Sequence, residues 1–221
     1  MGDPVVIRGW NIASLPGDQV SIENGILSTR GQRWPLMIDP QQQANKWIKT
    51  MEKSNDLIIL KFGVLNFLRT LGSAVTTGRP VLVEDMEEYV DPGIDPILQK
   101  QVYKTESGIY QIRIGDTNFD YDENFKFFMT TKMPNPHYLP EVCIKVTLIN
   151  FTVTFKGLED QLLGDVVVQE KPEIEKKRDE IIVSMDNDQR TLLTIENQIL
   201  KLLSESTEEQ ILDEDNLIII L

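Results

Sequence analysis

Hydrophobic residues recur along the chain in short continuous runs that alternate with stretches of helical spacing. Apolar runs at residues 34–39, 57–62 and 80–85 predict buried strands, because neither face of such a segment is polar. Between them, residues 41–53 and 64–77 carry apolar side chains at intervals of three and four, which predicts helices. Buried strands separated by helices indicate an α/β protein built on a parallel sheet.

The middle of the chain departs from this pattern and then returns to it. Residues 108–115 alternate between apolar and polar, and Gly115 with Asp116 is a turn signal, so a β-hairpin insertion is predicted here. Residues 125–131 return to the buried-strand type, and residues 146–154 predict a further strand, so these segments are assigned as the fourth and fifth strands of the core. The expected core is therefore a five-stranded parallel sheet.

The two ends of the chain differ from this core. Turn-forming residues are frequent at the beginning, so residues 1–32 are predicted to be an irregular lead-in, with a short strand at 20–22 or 25–28. The α/β lobe is assigned to residues 33–156, and a helical small lobe to residues 157–221. The apolar run that ends the chain predicts that the sequence is a piece of a longer protein.

From residue 172 the apolar positions follow a different repeat. Nine positions are spaced alternately by four and three residues, and seven of them are apolar. This spacing predicts a coiled-coil arm of roughly four heptads. An ordinary amphipathic surface helix is the alternative, although a 3.6-residue repeat drifts off such a seam by about 20° per heptad. The seam positions are Ile174, Arg178, Ile181, Met185, Asp188, Leu192, Ile195, Ile199 and Leu202.

Composition excludes several classes of function. The 35 acidic residues against 22 basic residues give a net charge of −13, which disfavours binding to nucleic acid or to an anionic membrane surface. The single cysteine, Cys143, excludes an intrachain disulfide and multi-thiolate zinc sites, and it indicates a reducing, intracellular compartment. The only histidine, His137, leaves no two-histidine metal site and is not expected to be catalytic.

The loop after the first strand lacks the chemistry of a phosphate-binding loop. Nucleotide-binding domains place glycines there, whose amides wrap the phosphates, followed by a lysine and by a serine or threonine for magnesium. This chain has no Gly-Lys pair, and Pro40 removes one amide donor. We therefore predict no catalytic residue, no metal site and no cofactor in this domain. The equivalent loop residues are Pro40, Gln41, Gln42, Gln43, Ala44, Asn45 and Lys46.

Two acidic residues close the third predicted strand. Nucleotide-binding domains hold magnesium and orient water with carboxylates at the position of Glu84 and Asp85. Taken alone the signal is weak, because many buried parallel strands end in exposed acids. Thr130 and Thr131 follow the fourth strand and either lie near the same crevice or serve as caps and turn partners.

Several longer runs resemble one known family. Residues 33–49 look like the fifth AAA+ module of dynein heavy chains, the ring-shaped microtubule motors. Within this stretch, the sequences of residues 34–37 and 45–49 are more similar to axonemal than to cytoplasmic dyneins. Further segments resemble the same module in the same order, at residues 15–25, 130–138, 146–154 and 157–164. The resemblance therefore covers almost the whole chain.

The resemblance implies a structural role. In this family hydrolysis belongs mainly to the first of six AAA+ modules, so ATP and magnesium are expected in other modules of the parent chain. A helical hairpin called the buttress leaves the fifth module and braces the stalk that carries the microtubule-binding tip. Residues 172–203 resemble its first arm, 204–213 its turn and 214–221 the start of its returning arm. The expected partners are the neighbouring modules, the stalk, and microtubules through the parent chain, in the axoneme of a cilium or flagellum.

These observations predict a non-hydrolysing ring module that transmits conformational change between ring and stalk. The alternative is a nucleotide-binding AAA+ switch or ATPase with a degenerate phosphate loop, in which Glu84 and Asp85 hold magnesium. A third hypothesis is an unrelated binding domain that exposes Trp10, Trp34 and Trp47 as an aromatic patch. Large aromatic side chains are more often buried in a core, which argues against this third hypothesis.

Overall fold

The computed structural model describes residues 3–105 and 108–205 of the chain. These residues divide into two compact units, one of residues 13–163 and one that combines residues 3–12 with residues 164–205. The helices are α1 (Pro4–Ile12), α2 (Gln19–Arg30), α3 (Gln43–Met51), α4 (Phe67–Thr77), α5 (Asp95–Leu98), α6 (Pro140–Cys143), α7 (Phe155–Glu170) and α8 (Pro172–Glu205). The strands are β1 (Pro35–Ile38), β2 (Ile58–Lys61), β3 (Val81–Glu84), β4 (Val102–Lys104), β5 (Tyr110–Ile114), β6 (Thr117–Asp120), β7 (Phe127–Thr131) and β8 (Thr147–Asn150).

The core of the larger unit is a five-stranded parallel sheet in the order β2-β3-β7-β1-β8. β1 lies between β7 and β8, so that Leu36 faces Met129 on one side and Leu148 on the other. β3 in turn pairs with β2 and β7. The prediction of an α/β protein with a five-stranded parallel sheet is confirmed. Because the carboxyl ends of parallel strands share one edge, the segments that follow β1, β3 and β7 meet there.

Burial explains the apolar runs of β1, β3 and β7. The edge strand β2 is only half-buried, with Ile59 45% exposed, so the prediction of a fully buried strand at 57–62 is wrong. Leu36 of β1 and Phe127 of β7 are fully buried, and they share the main core cluster with Leu71 and Val75 of α4. A strand covered in this way has no face on which a polar residue would be solvated, so the period of two is lost. The same burial accounts for the helical spacing in α4, whose apolar face covers the sheet.

The three tryptophans do not form an exposed patch. Trp10 is 6% exposed and Trp47 is 0% exposed. Trp34 packs against the main core cluster, and its Nε1 donates to the carbonyl oxygen of Ile97 at 2.8 Å. The aromatic-patch hypothesis is therefore wrong, because burial of these rings in cores is what stabilises them.

The predicted hairpin insertion is confirmed, and it contains one more strand than the sequence indicated. β5 and β6 are antiparallel and joined by Gly115 and Asp116, and Gly115 has the positive φ of 58° that such tight turns require. β4 pairs with β5 and completes a three-stranded sheet. Phe119 of β6 lies directly against Gly72 of α4, because a glycine leaves room for the ring.

The beginning of the chain is helical, so two predictions there are wrong. Residues 1–32 are not an irregular lead-in, since they contain α1 and α2, and there is no strand at 20–22 or 25–28 within this described stretch. The turn signal before α2 marks the start of that helix. Asp18 is its N-cap, and the carboxylate accepts a hydrogen bond from the Ser21 amide at 3.1 Å.

Tertiary packing explains why α2 escaped prediction. Its buried residues are Ser21, Gly25 and Ser28, which lie on one face of the helix and are all small. Small side chains allow α2 to approach β8 closely, and Asn24 Nδ2 donates to the carbonyl oxygen of Asn150 at 2.8 Å. The helix therefore shows little hydrophobic contrast along its sequence.

After the sheet the chain is helical. α8 extends over 34 residues and contacts α1. Of the seam side chains that are described, Ile181, Met185 and Leu192 are exposed, so the coiled-coil arm stays a prediction. α8 continues to Glu205, into the turn predicted at 204–213; the rest of the turn and the predicted returning arm at 214–221 lie outside the described residues. Within the described ranges, no helix combines the length and apolar character needed to cross a membrane.

Replacing Gly72 by alanine tests the contact between α4 and the insertion. The new Cβ would lie 2.3 Å from Phe119 Cζ. The ring would have to move, and overpacking of this kind costs about 1–3 kcal/mol. We expect Gly72→Ala to lower the free energy of unfolding measured in urea, although alanine favours a helix over glycine by about 1 kcal/mol.

Gly9→Ala is the matched control, because a Cβ at Gly9 in α1 meets nothing within 4 Å. This substitution should leave the free energy of unfolding unchanged or raise it. Equal effects of the Gly72 and Gly9 substitutions would contradict the packing of Phe119 on α4.

Candidate functional site

Residues at the ends of β1, β2, β3 and β7 and in the first turns of α3 form a polar cluster at the carboxyl edge of the sheet. Ligands of open parallel α/β sheets bind at this edge. We call this cluster the strand-end crevice. It consists of Asp39, Asn45, Lys49, Lys61, Glu84, Asp85, Thr130 and Lys132.

Asp39 follows β1 and is buried at the beginning of α3, with 1% exposure. Its Oδ1 accepts a hydrogen bond from the Gln43 amide at 2.8 Å, and its Oδ2 accepts one from the Asn45 amide at 2.9 Å. The first amides of a helix have no partner within the helix, so the carboxylate satisfies donors that would otherwise need a ligand or water. Because both oxygens accept from N–H groups, the geometry is that of an ionised carboxylate.

The backbone bends around Asp39 in an uncommon conformation. Gln42 is the N-cap of α3, yet it has a φ of 60° and makes no side-chain capping bond. Asp85, after β3, also has a positive φ, of 55°. Positive φ is uncommon for residues other than glycine, although four further non-glycine residues of the described ranges, away from this site, also adopt it. Both segments that border the strand-end crevice therefore hold conformations that the surrounding contacts must maintain.

Glu84 ends β3 and points to the same helix. Its Oε1 accepts from Asn45 Nδ2 at 2.8 Å and pairs with Lys49 Nζ at 2.5 Å. Asn45 Nδ2 also lies 3.4 Å from Thr130 Oγ1. Asn45 therefore joins three strand ends, because its backbone amide binds Asp39 while its side chain binds Glu84 and approaches Thr130.

Asp85 is held between two lysines. Lys61, at the end of β2, places Nζ 2.7 Å from Asp85 Oδ2, and Lys132, after β7, places Nζ 2.8 Å from Oδ1. Each oxygen of the carboxylate thus has its own ammonium partner. A carboxylate engaged in this way offers no free oxygen pair to a divalent cation.

The ionisation of these carboxyl groups follows from their surroundings. Burial raises the pKa of Asp39 above its ordinary value, and the backbone amides of α3 oppose that shift. Burial also acts to raise the pKa of Glu84, but hydrogen bonds from Lys49 and Asn45 outweigh it, so this pKa is lowered. The ammonium groups of Lys132 and Lys61 lower the pKa of Asp85. The lowered pKa values of Glu84 and Asp85 favour their charged forms, whereas Asp39 is identified as an acceptor by the two amides that donate to its oxygens.

The other predicted residues lie at the border of this crevice or away from it. Gln41 Oε1 accepts from the Val153 amide at 3.1 Å, and Lys46 is exposed. Thr131 Oγ1 accepts from the Met133 amide at 3.2 Å, which is the turn role expected as one of its alternatives. His137 is exposed on the loop after β7, and its backbone amide donates to Glu88 at 2.9 Å.

Sequence reasoning missed the groups that neutralise the predicted acids. Lys61 ends β2 and Lys132 follows β7, the two strands that flank β3, so the strand-end argument that singled out Glu84 and Asp85 applies equally to them. Lys49 lies one helical turn beyond Asn45, on the same face of α3. The role of Asp39 gave no sequence signal beyond its place after the strand, because it depends on the path of the loop.

The arrangement does not fit a nucleoside triphosphate with magnesium. Counted from Asp39, the spacing of a phosphate-binding loop puts Ala44 at the second glycine, Asn45 at the lysine and Lys46 at the serine or threonine. The amides that would wrap phosphate already bind Asp39, and the side chain at the lysine position already binds Glu84. Throughout the described ranges, no group of three or more His, Cys, Asp or Glu side chains is placed to hold a metal ion.

A parallel five-stranded sheet with a loop and helix after its first strand defines the class: this is the layout of a AAA+ module. The family described as the ATP-binding dynein motor region matches residues 8–221. The chain belongs to this family. The resemblance to dynein heavy chains seen in the sequence is thereby confirmed.

Curated relatives agree with this assignment. The chain is 56% identical over 218 residues to dynein axonemal heavy chain 6 of Homo sapiens, which covers 99% of this chain and 5% of that protein. It is 48% identical over 221 residues to dynein axonemal heavy chain 3 of Mus musculus, covering 100% and 5%. It is 48% identical over 206 residues to dynein axonemal heavy chain 1 of Homo sapiens, covering 93% and 5%. The chain therefore spans only a small part of the length of these relatives.

Removing the lysines that bind Asp85 should change how stability depends on pH. A carboxyl group whose pKa is lowered by folding stabilises the fold above its unfolded pKa, about 3.9 for Asp, and this contribution is lost as pH falls through the folded pKa. In the double variant Lys61→Met and Lys132→Met that contribution is absent. We expect the free energy of unfolding, from urea titrations, to decline less steeply below about pH 5 than in the wild type.

The matched control is the double variant Lys53→Met and Lys156→Met, which removes the same charge from two lysines that make no ion pair with any described residue. Its pH dependence should follow the wild type. If both double variants show the same slope, the lysine pairs do not set the pKa of Asp85.

Proposed function

We propose that this chain is a ring module of an axonemal dynein heavy chain that does not hydrolyse ATP and instead passes conformational change between ring and stalk. The observation that carries this proposal is the strand-end crevice, whose charged groups are already paired with one another. Three carboxylates, those of Asp39, Glu84 and Asp85, face backbone amides or ammonium groups. A nucleotide would have to displace these partners.

Electrostatics explains why that displacement is unfavourable. A phosphate at the start of α3 would compete with the Asp39 carboxylate for the same amides, and two anions in one buried site repel each other strongly. No lysine occupies the position from which a phosphate-binding loop supplies its charge, because that position is Asn45. Magnesium would have to separate Asp85 from Lys61 and Lys132. These costs favour a module without nucleotide over the alternative of a nucleotide switch.

The rest of the proposal concerns the heavy chain to which this module belongs. The names of the relatives identify them as axonemal dynein heavy chains. We place the parent chain in the axoneme of a cilium or flagellum, as an ATP-driven microtubule motor whose other modules bind ATP and magnesium. The partners of this module are then its neighbouring AAA+ modules and the stalk, and it reaches microtubules only through the parent chain.

α8 is the element proposed to carry the movement outward. Its 34 residues correspond to a rod of about 51 Å at 1.5 Å per residue. Ile181, Met185 and Leu192 form an exposed apolar seam, which a partner helix would cover. Asp188 interrupts the seam and is exposed. A polar residue in a seam weakens the packing, and a weakly packed pair can exchange between two arrangements.

Calorimetric titration of the 221-residue chain with ATP and magnesium separates a structural module from a nucleotide switch. We expect no binding heat, because both the amides and the carboxylates of the strand-end crevice are engaged. Titration with magnesium chloride alone is the control and tests the carboxylates by themselves. A dissociation constant in the micromolar range for ATP, about −8 kcal/mol of binding free energy, would overturn the proposal.

Replacing Asp188 by leucine in the intact motor tests the proposed arm. A leucine restores the apolar seam, stabilises the helix pair and should slow the switching of the stalk, which is measured as slower release from microtubules. The control is Asn197→Leu, on the opposite side of the same repeat. Release kinetics that are unchanged by Asp188→Leu, or equally changed by both, would count against transmission through α8.

A further inference from the structure

Asp39 differs from an ordinary helix cap. At α2 the cap is Asp18, which directly precedes the helix and binds the Ser21 amide at 3.1 Å and the Ser21 hydroxyl at 2.8 Å. Asp39 instead directly follows β1, three residues before the N-cap Gln42. Its side chain extends across the loop to the amides of α3. The cap position itself makes no side-chain bond. The loop thus surrounds the carboxylate, as a phosphate-binding loop surrounds its bound phosphate.

Two amides of the first turn of α3 converge on this one side chain. The amides of Gln43 and Asn45 donate to its two oxygens at 2.8 and 2.9 Å, while the Gln42 amide donates to the Asp39 backbone carbonyl at 3.2 Å. The start of a helix that follows the first strand is where phosphate binds in proteins with a working phosphate loop, because these amides have no partner within the helix. Asp39 is 1% exposed, so water does not take that place.

The chain also supplies the positive charges that a bound metal ion would bring to the strand-end crevice. A divalent cation at the end of β3 would contact carboxylate oxygens, and here three ammonium groups do so instead: Lys49 on Glu84, and Lys61 with Lys132 on Asp85. Asn45 connects the two halves, since its amide N–H donates to Asp39 and its Nδ2 donates to Glu84. The protein therefore supplies both the anion and the cations from its own chain.

We propose that the carboxylate of Asp39 stands in for a phosphate group and holds the loop and α3 in the arrangement that a bound phosphate would impose. This inference rests on the proposed function, because it explains how a module without nucleotide keeps a fixed strand-end crevice. The residues 39–45 are then in a liganded conformation at all times. A ring neighbour meets the same surface whatever nucleotide the other modules hold.

Chemical rescue tests this role. In Asp39→Gly the Gln43 and Asn45 amides remain, but the carboxylate is replaced by a gap in which a small anion fits. We expect the thermal midpoint of this variant to fall by about 2–8 °C in sodium chloride, as for the loss of a strong cap in a chain of this size. Sodium formate or sodium phosphate at the same ionic strength should recover most of that loss, because the anion binds only the folded state.

Two controls separate a bound anion from general salt effects, since phosphate stabilises most proteins by exclusion from their surface. The wild-type chain should shift equally in formate and chloride. Asp18→Gly removes an ordinary cap at α2 and should lose stability without any recovery specific to formate. If Asp39→Gly responds to formate no more than Asp18→Gly does, Asp39 is an ordinary cap and the inference is overturned.

A second variant covers the case in which glycine does not fold. Asp39→Ala restricts the backbone more than glycine does and leaves the same amides free. Refolding yield in formate against chloride is then the readout for both variants, and a failure of both to respond contradicts the inference.

This result is independent of the calorimetric titration. ATP binding by the wild-type chain would overturn the proposed function. Absence of rescue together with absence of ATP binding would leave that function standing and reject only the role of Asp39.

Discussion

The buried carboxylate of Asp39, bound to the first amides of α3, is the contact on which the other features of the site depend. It ties the end of the interior strand β1 to the loop and helix that follow. Because those amides are taken, the loop needs no glycine, and Gln42 can keep a positive φ that only the surrounding contacts maintain. Because Asn45 is fixed at the same point, its side chain reaches Glu84 and brings β3 into the network.

Charge pairing then spreads across the carboxyl edge of the sheet. Lys61 and Lys132 come from the two strands on either side of β3, and both bind Asp85. Individually such partly exposed pairs contribute little, about 0–1 kcal/mol each. What matters is their position, because they link the ends of β2, β3 and β7. On the proposed function, these links would help the module to transmit displacement as one body.

The sequence predicted those parts of the fold that a local pattern determines. The runs in β1 and β7 are continuously apolar because both faces are covered, and Gly115 marked the hairpin because a tight turn needs its positive φ. α2 was missed because its buried face consists of Ser21, Gly25 and Ser28, and only contact with β8 reveals their role. In the site, the sequence indicated the altered loop and the two acids, but the partners of those acids depend on strand order and could not be read from spacing.

The most direct test of the central claim is a cryo-electron microscopy structure of the intact heavy chain in the presence of ATP and magnesium. We predict that the strand-end crevice of this module contains no nucleotide density, with the Asp39 oxygens within hydrogen-bond distance of the Gln43 and Asn45 amides. Density for a diphosphate or triphosphate at these amides, with the Asp39 side chain rotated away, would contradict the account.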